Sequence, residues 1–237
     1  MITLRRRRAA PDRLATAPAG YAAVHARADL LRHAALLDPL PGWREVRVAL
    51  TPGRVAGTWN LDLAARDRPG LLARFAGVLA ANGVDVAQAV VATWDDGAAL
   101  QAFVTRTPNA PDAHEFARAL ERQLVAVPVD AAVTFDDTAS PVYTLCRVDA
   151  PDRPGLLHAL AAAFATAEVD IHAAAVTTVG DRAHDRFDVT EGAGQQLSQA
   201  TRAKIEQALR GGSITRPLRP RGVPTARGRR PTGRDAR

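Results

Sequence analysis

Two identical hexapeptides hold the residues of this sequence best suited to grip a small charged molecule. Asp67-Arg68-Pro69-Gly70-Leu71-Leu72 recurs as Asp152-Arg153-Pro154-Gly155-Leu156-Leu157, 85 residues further on. In each copy Pro and Gly interrupt an extended segment, and apolar residues then follow at helical spacing. The first N–H groups of a helix have no intrahelical partner and, with the helix dipole, favour an anion such as a carboxylate. The dipole alone contributes about 0.3–1 kcal/mol, and charge-assisted hydrogen bonds add to it. Asp67 and Asp152 are suited to accept from a ligand ammonium, Arg68 and Arg153 to reach an anion, and Gly70 and Gly155 to let a ligand approach the backbone. A carboxylate and an ammonium held together describe a free amino acid. Asp85 and Asp170, at the starts of the strands that follow, either face the same cleft or are solvated turn residues. A plainer reading stands beside this one. It makes the aspartates helix N-caps, the arginines solvated side chains and the glycines backbone devices.

The repeat continues on both sides of the hexapeptide. Leu63 matches Val148, Leu79 matches Phe164, Asp85 matches Asp170 and Val86 matches Ile171. Segments 59–65 and 143–150 read as strands that enter the motif, and Leu71, Leu72, Phe75 and Leu79, with Leu156, Leu157, Leu160 and Phe164, mark the helices. Asn82-Gly83 suits a helix end with a left-handed residue; Glu168 occupies the place of Gly83, so the second helix is expected to end differently. Segments 84–93 and 169–178 read as strands, turned by Asp95-Asp96-Gly97 and Gly180-Asp181 into strands 100–105 and 186–190. Further helices are expected around Phe116, Leu120 and Leu124, and around Leu197, Thr201, Ile205 and Leu209. Alternating Val129, Ala131, Val133 and Phe135 close the first unit.

This order predicts an α+β chain of two ferredoxin-like βαββαβ units, with antiparallel sheets and helices on one face. The expected divisions are a basic disordered start (1–11), a helical linker (12–43), an extra strand and connection (44–57), unit one (58–136), unit two (142–212) and a basic disordered tail (213–237). The strand at 45–50 is expected to fill the vacant edge of the second sheet.

Of the 237 residues 47% are hydrophobic and only 5% aromatic, so Ala, Val and Leu must fill the core. The formal charge of +6 is concentrated in Arg5–Arg8 and the arginines after residue 213, which leaves the middle mildly acidic. No aromatic residue is interleaved with those arginines for base stacking, which argues against nucleic acid as the partner. One cysteine, Cys146, excludes an internal disulfide and suits a cytoplasmic protein. No apolar run is long enough for a membrane span. His184-Asp185 spells a dipeptide used by metal-dependent phosphohydrolases, but His25, His33, His114, His158 and His172 show no metal-ligand spacing with it, and His158 and His172 are expected on surfaces. No metal, no cofactor and no catalytic residue is expected.

The doubled hexapeptide, each copy followed by a Val-Asp-Val or Val-Asp-Ile strand, resembles tandem ACT domains. Together with the helix-like segment Asp29-Leu30-Leu31-Arg32-His33-Ala34 upstream, it resembles the C-terminal region of the bifunctional uridylyltransferase/uridylyl-removing enzymes that modify the PII nitrogen-signalling protein. The resemblance spans roughly residues 11–212. It implies regulatory binding of an amino acid, with glutamine as ligand. It also implies a separate enzyme or PII-system partner, or self-association. A non-catalytic fragment of such an enzyme and a ligand-free oligomerisation module are the alternatives. The chain departs from those enzymes in lacking the Gly-rich loop and Asp-x-Asp pair of a nucleotidyltransferase.

Overall fold

A computed structural model describes residues 12–18, 20–107, 109–111, 124–192 and 194–215. The first unit runs β1 (Val46–Pro52), β2 (Thr58–Arg66), helix α2 (Leu71–Ala81), β3 (Asp85–Thr93), β4 (Ala98–Arg106) and a short β5 (Leu124–Ala126), and is preceded by helix α1 (Arg27–Leu37). The second runs β6 (Ala132–Asp136), β7 (Thr144–Pro151), α3 (Leu156–Thr166), β8 (Val169–Val179), β9 (Arg182–Glu191), α4 (Gln199–Gly211) and β10 (Ser213–Thr215). Eight strands form one antiparallel sheet in the order β1-β2-β4-β3-β8-β9-β7-β6, so the halves are joined edge to edge where β3 pairs with β8. The short β5 and β10 pair separately with each other.

Helices α2 and α3 lie side by side on one face of this sheet. Leu71–Leu79 and Leu156–Phe164 are buried all round, which suits helices pressed between a sheet and further elements. Gly77 makes their close approach possible: a Cβ there would stand 2.8 Å from His158 Nε2 and 2.7 Å from Leu124 Cδ1. The amphipathic α4 packs on α3 and starts at Ser198, whose hydroxyl accepts from the Thr201 amide.

The opposite face of the first half is covered by α1 and the turn before it. Tyr21 and Leu37 bury against Ala64, Ala92, Trp94, Ala98 and Leu100. A buried polar chain runs through this contact. Tyr21 Oη lies 2.5 Å from His33 Nδ1, His33 Nε2 is 3.2 Å from Asp62 Oδ1, and Arg32 Nε donates to Asp62 Oδ2 at 2.6 Å. Burial pushes the Asp62 carboxyl up, but the hydrogen bonds and charges of His33 and Arg32 outweigh it and hold the group below the ordinary range. The same face of the second half carries Arg147, Arg182, His184 and Arg186, all exposed.

The α+β character, the antiparallel pairing and the ferredoxin-like units agree with the expectation from sequence; several local assignments do not. The strand expected at 45–50 lies on the edge of the first half, beside β2, and not in the second sheet. The segment expected to close the first unit instead pairs with β7 as the edge of the second. Register explains both outcomes. Val48 opposes Leu63 and Val133 opposes Val148, so each unit opens with its own edge strand, whose alternate residues reach the core. Leu124 starts β5, and Phe116 and Leu120 lie outside the described residues. Residues 213–215, expected in the tail, form β10; the rest of the tail and Arg5–Arg8 lie outside the described residues. Glu168 takes φ 61°, close to the 67° of Gly83, so both helices end through a left-handed residue after all.

Candidate functional site

Both hexapeptides turn a strand into a helix in the same way. Asp67 N donates to Gly97 O and Asp152 N to Asp181 O, each at 2.8 Å, which ties the corner to the tip of the neighbouring hairpin. Leu71 N and Leu156 N then close a turn onto the carbonyls of Arg68 and Arg153, both at 3.1 Å. Gly70 (φ 79°) and Gly155 (φ 82°) are the cap residues, in the left-handed region that disfavours a side chain. Asp67 and Asp152 stand three positions earlier, and neither helix has a side-chain N-cap bond. The N-cap position itself is thus held by a glycine in both helices, and the aspartates lie one turn before it.

The arginines do not float in solvent. Arg68 Nη1 donates to Trp43 O at 2.9 Å, and Arg153 Nη2 donates to Pro128 O. Each carbonyl lies 25 residues before its arginine and leads into the edge strand of the same unit. Burial lowers the pKa of Arg68. The two arginines thus clamp the edge strands, with half-buried heads at the lip of the corner.

Each corner belongs to a cleft whose other wall comes from the opposite unit. The first contains residues 67–72, with Val169, Asp170 and Ile171 at the start of β8 and Ala161 and Ala165 of α3. The second contains Asp152, Arg153, Gly155, Leu156 and Leu157, with Val84, Asp85 and Val86 leading into β3 and Ala76 and Ala80 of α2. Of the residues singled out in the sequence, Pro154 alone lines neither cleft. Each cleft encloses a cavity of about 20 Å³, room for a water molecule, within a depression that opens to solvent. A Cβ on Gly70 would lie 3.6 Å from Ala165 Cβ, and one on Gly155 3.6 Å from Ala80 Cβ, so each corner closes over the end of the other unit's helix. A bulge follows each strand start, between Val86 and Gln88 and between Ile171 and Ala173. Asp85 also pairs with Arg106 at 3.2 Å on its outer side.

Two residues at the cleft floors were not among those singled out as ligand contacts. Gln101 on β4 and Asp185 on β9 are 2% and 3% exposed, and Gln101 Oε1 and Asp185 Oδ2 have no hydrogen-bond partner among the described residues. They occupy equivalent places, because Gln101 pairs with Leu63 and Asp185 with Val148. Asp185 Oδ1 accepts from Thr177 N at 3.3 Å; burial, aided by the charge of Asp152, pushes the carboxyl up to about 7 despite that bond. His184, the other half of the dipeptide, is exposed on the opposite face, 2.9 Å from Asp149 Oδ2, so the two side chains do not converge. His158, expected on a surface, is buried, and His172 is half-buried on its strand. His158 Nε2 is 3.0 Å from Thr215 Oγ1 in the helix layer, where burial and then Arg74 lower its pKa to about 4, and His172 Nε2 is 2.8 Å from Thr190 Oγ1. Cys146 is buried in the core, and burial pushes its thiol up to about 12.

The ACT domain family matches residues 61–125 and 144–208, together more than half of the chain. The chain belongs to the ACT-domain family. Its two ACT units are related to the C-terminal region of bifunctional uridylyltransferase/uridylyl-removing enzymes. That of Gluconobacter oxydans is 29% identical over 76% of this chain, and that of Ruegeria pomeroyi 32% identical over 72%. The match occupies 22% and 21% of those proteins, so the chain spans about a fifth of their length. Aspartate kinase from Synechocystis shares 18% identity over 67% of this chain and 28% of its own, with a TM-score of 0.38. Among the described residues no helix is long and apolar enough to cross a membrane.

Proposed function

We propose that this tandem ACT chain is a regulatory module that binds a free amino acid, with glutamine as the ligand, and reports its level to an enzyme. The observation that carries this reading is the crossed construction of the clefts. A ligand carboxylate on the first helix amides of one unit would leave its ammonium beside the corner carboxyl, Asp67 or Asp152, where it finds a counter-charge, and would lie within the same cleft as Asp170 or Asp85 from the other unit. Occupancy would then bear on how the units are held together, and only to the extent that the ligand prefers one arrangement. The relatives are named uridylyltransferase/uridylyl-removing enzymes, which supports a nitrogen-status signal and a PII-system or enzyme partner in the cytoplasm. The contacts expected are Asp67, Arg68, Gly70, Leu71, Leu72 and Asp170 in one cleft, and Asp85, Asp152, Arg153, Gly155, Leu156 and Leu157 in the other. The arginines contribute through the clamped corner.

Titration calorimetry of the protein with each of the twenty L-amino acids tests this. Saturable binding of glutamine, weakened by Asp170→Ala or Asp152→Ala, is the expected result. Heat of dilution alone for all twenty would leave the ligand-free oligomerisation module as the better account.

A further inference from the structure

The duplicated clefts match in backbone, corner and bulge, yet they differ at their floors. At the place where one has the neutral amide of Gln101, the other has the carboxyl of Asp185, each nine-tenths or more buried and each with an oxygen that no group among the described residues satisfies. An unsatisfied buried oxygen is destabilising, and more so when charged, unless something else pairs with it. We propose that the two clefts are unequal sites, and that the Asp185 cleft takes the ammonium group of an amine ligand between the carboxyls of Asp152 and Asp185, while the Gln101 cleft receives only a neutral hydrogen-bond donor at its floor. The inference rests on the amino-acid-binding reading and assigns Asp185 as the residue that sets specificity within it.

The surroundings of Asp185 decide the sign of the effect. Asp152 and Arg153 face it from the corner, Asp85 from the start of β3 and His158 from α3. On α2 the nearest lining residues are Ala76 and Ala80, while the charge of Arg74 acts on His158; β8 presents Val176 and Thr178, and the flanking residue of β9 on the same face is Ala183. Arg153 is held on the Pro128 carbonyl, and His158 is neutral above about pH 4, its lowered pKa. Asp85 is paired with Arg106, and the charge of Asp152 is one of the causes that raise Asp185. A ligand ammonium reverses that repulsion and favours the ionised form of Asp185. At low pH the incoming cation must displace the carboxyl proton, so binding releases a proton and strengthens as pH rises. With the free group titrating near pH 7, its ionised fraction grows about tenfold between pH 6 and pH 8.

Calorimetry with the L-amino acids at pH 6 and pH 8 reads this directly. Two classes of site are expected. One gains about tenfold in affinity at pH 8 and releases a proton at pH 6, and the other does neither. Asp185→Asn should abolish the gain and weaken that class alone; the amide is tolerated at the equivalent place in the sister cleft, so the variant is expected to fold. Gln101→Glu should confer the pH dependence on the second class. Two classes without pH dependence, or a dependence that survives in Asp185→Asn, would overturn the inference while leaving amino-acid binding intact. Should none of the twenty bind, the sensor reading fails, and ethylammonium chloride against potassium chloride decides the remainder. A fall in the Asp185 titration midpoint seen by carbon NMR upholds the cation site, and an unchanged midpoint refutes it.

Discussion

A carboxyl with 3% exposure keeps little of its hydration, and Asp185 recovers only part of it from the Thr177 amide. Because its folded pKa is raised above the unfolded value, the group favours folding below pH 4, and that contribution is lost as pH rises through about 7. A shift of this size corresponds to about 4 kcal/mol. Asp185→Asn should therefore leave stability almost unchanged at pH 4 and raise it at pH 8, by up to about that amount, in urea unfolding followed at both pH values. A constant difference across this range would show that Asp185 is ionised in the free protein. The sequence does not reveal this residue as the partner of Gln101. The hairpin between β8 and β9 is one residue shorter than that between β3 and β4: Thr93 pairs with Ala99, but Thr178 with Ala183. Comparison at a fixed spacing of 85 thus sets Gln101 against Arg186, on the wrong face of the strand. The hexapeptides were legible because they precede any change of spacing.

At the scale of elements, the helix ends show how backbone demand outlasts residue type. Gly83 and Glu168 adopt the same left-handed turn, although only the first is built for it. A side chain there costs about 1–2 kcal/mol. Glu168→Gly is expected to raise the melting temperature, with a net gain of about 1 kcal/mol once the extra freedom of the unfolded glycine is counted. A lowered melting temperature would mean that the Glu168 side chain holds α3 in some way that outweighs the strain. The edge strands teach a related lesson. Val46, Val48 and Leu50 repeat as Ala131, Val133 and Phe135 at the same spacing of 85, so the pattern was present in the sequence. It carries no motif, however, and alternation by itself says which face is buried without saying which neighbour is paired. The corner arginines resolve that choice, since each pins the approach to its own edge strand.

For the whole molecule, the decisive contact is the seam of β3 and β8, where Val90 opposes Ala175, with α2 and α3 packed above it. A chain truncated after Val127 keeps β1 to β5 and loses the partner of β3. The naked strand edge and the bared face of α2 favour a second copy in the place of unit two. Sedimentation of that fragment should show a dimer, and a well-folded monomer would mean that the units do not need each other. From sequence, two units interlocked by the strand at 45–50 are expected. The continuous sheet was not legible, because beyond the Gln88–Thr177 pair the seam is made of Ala and Val, which suit any interior strand pair.

The same seam has a consequence for how such a molecule acquires selectivity. If two separate copies met through this edge, an exact twofold axis would oblige their clefts to be identical, and any substitution in one would be made in both. Carrying both halves on a single polypeptide lifts that obligation. Position 185 is free to become acidic while position 101 stays an amide, so one molecule can weigh two chemically distinct signals with a single scaffold.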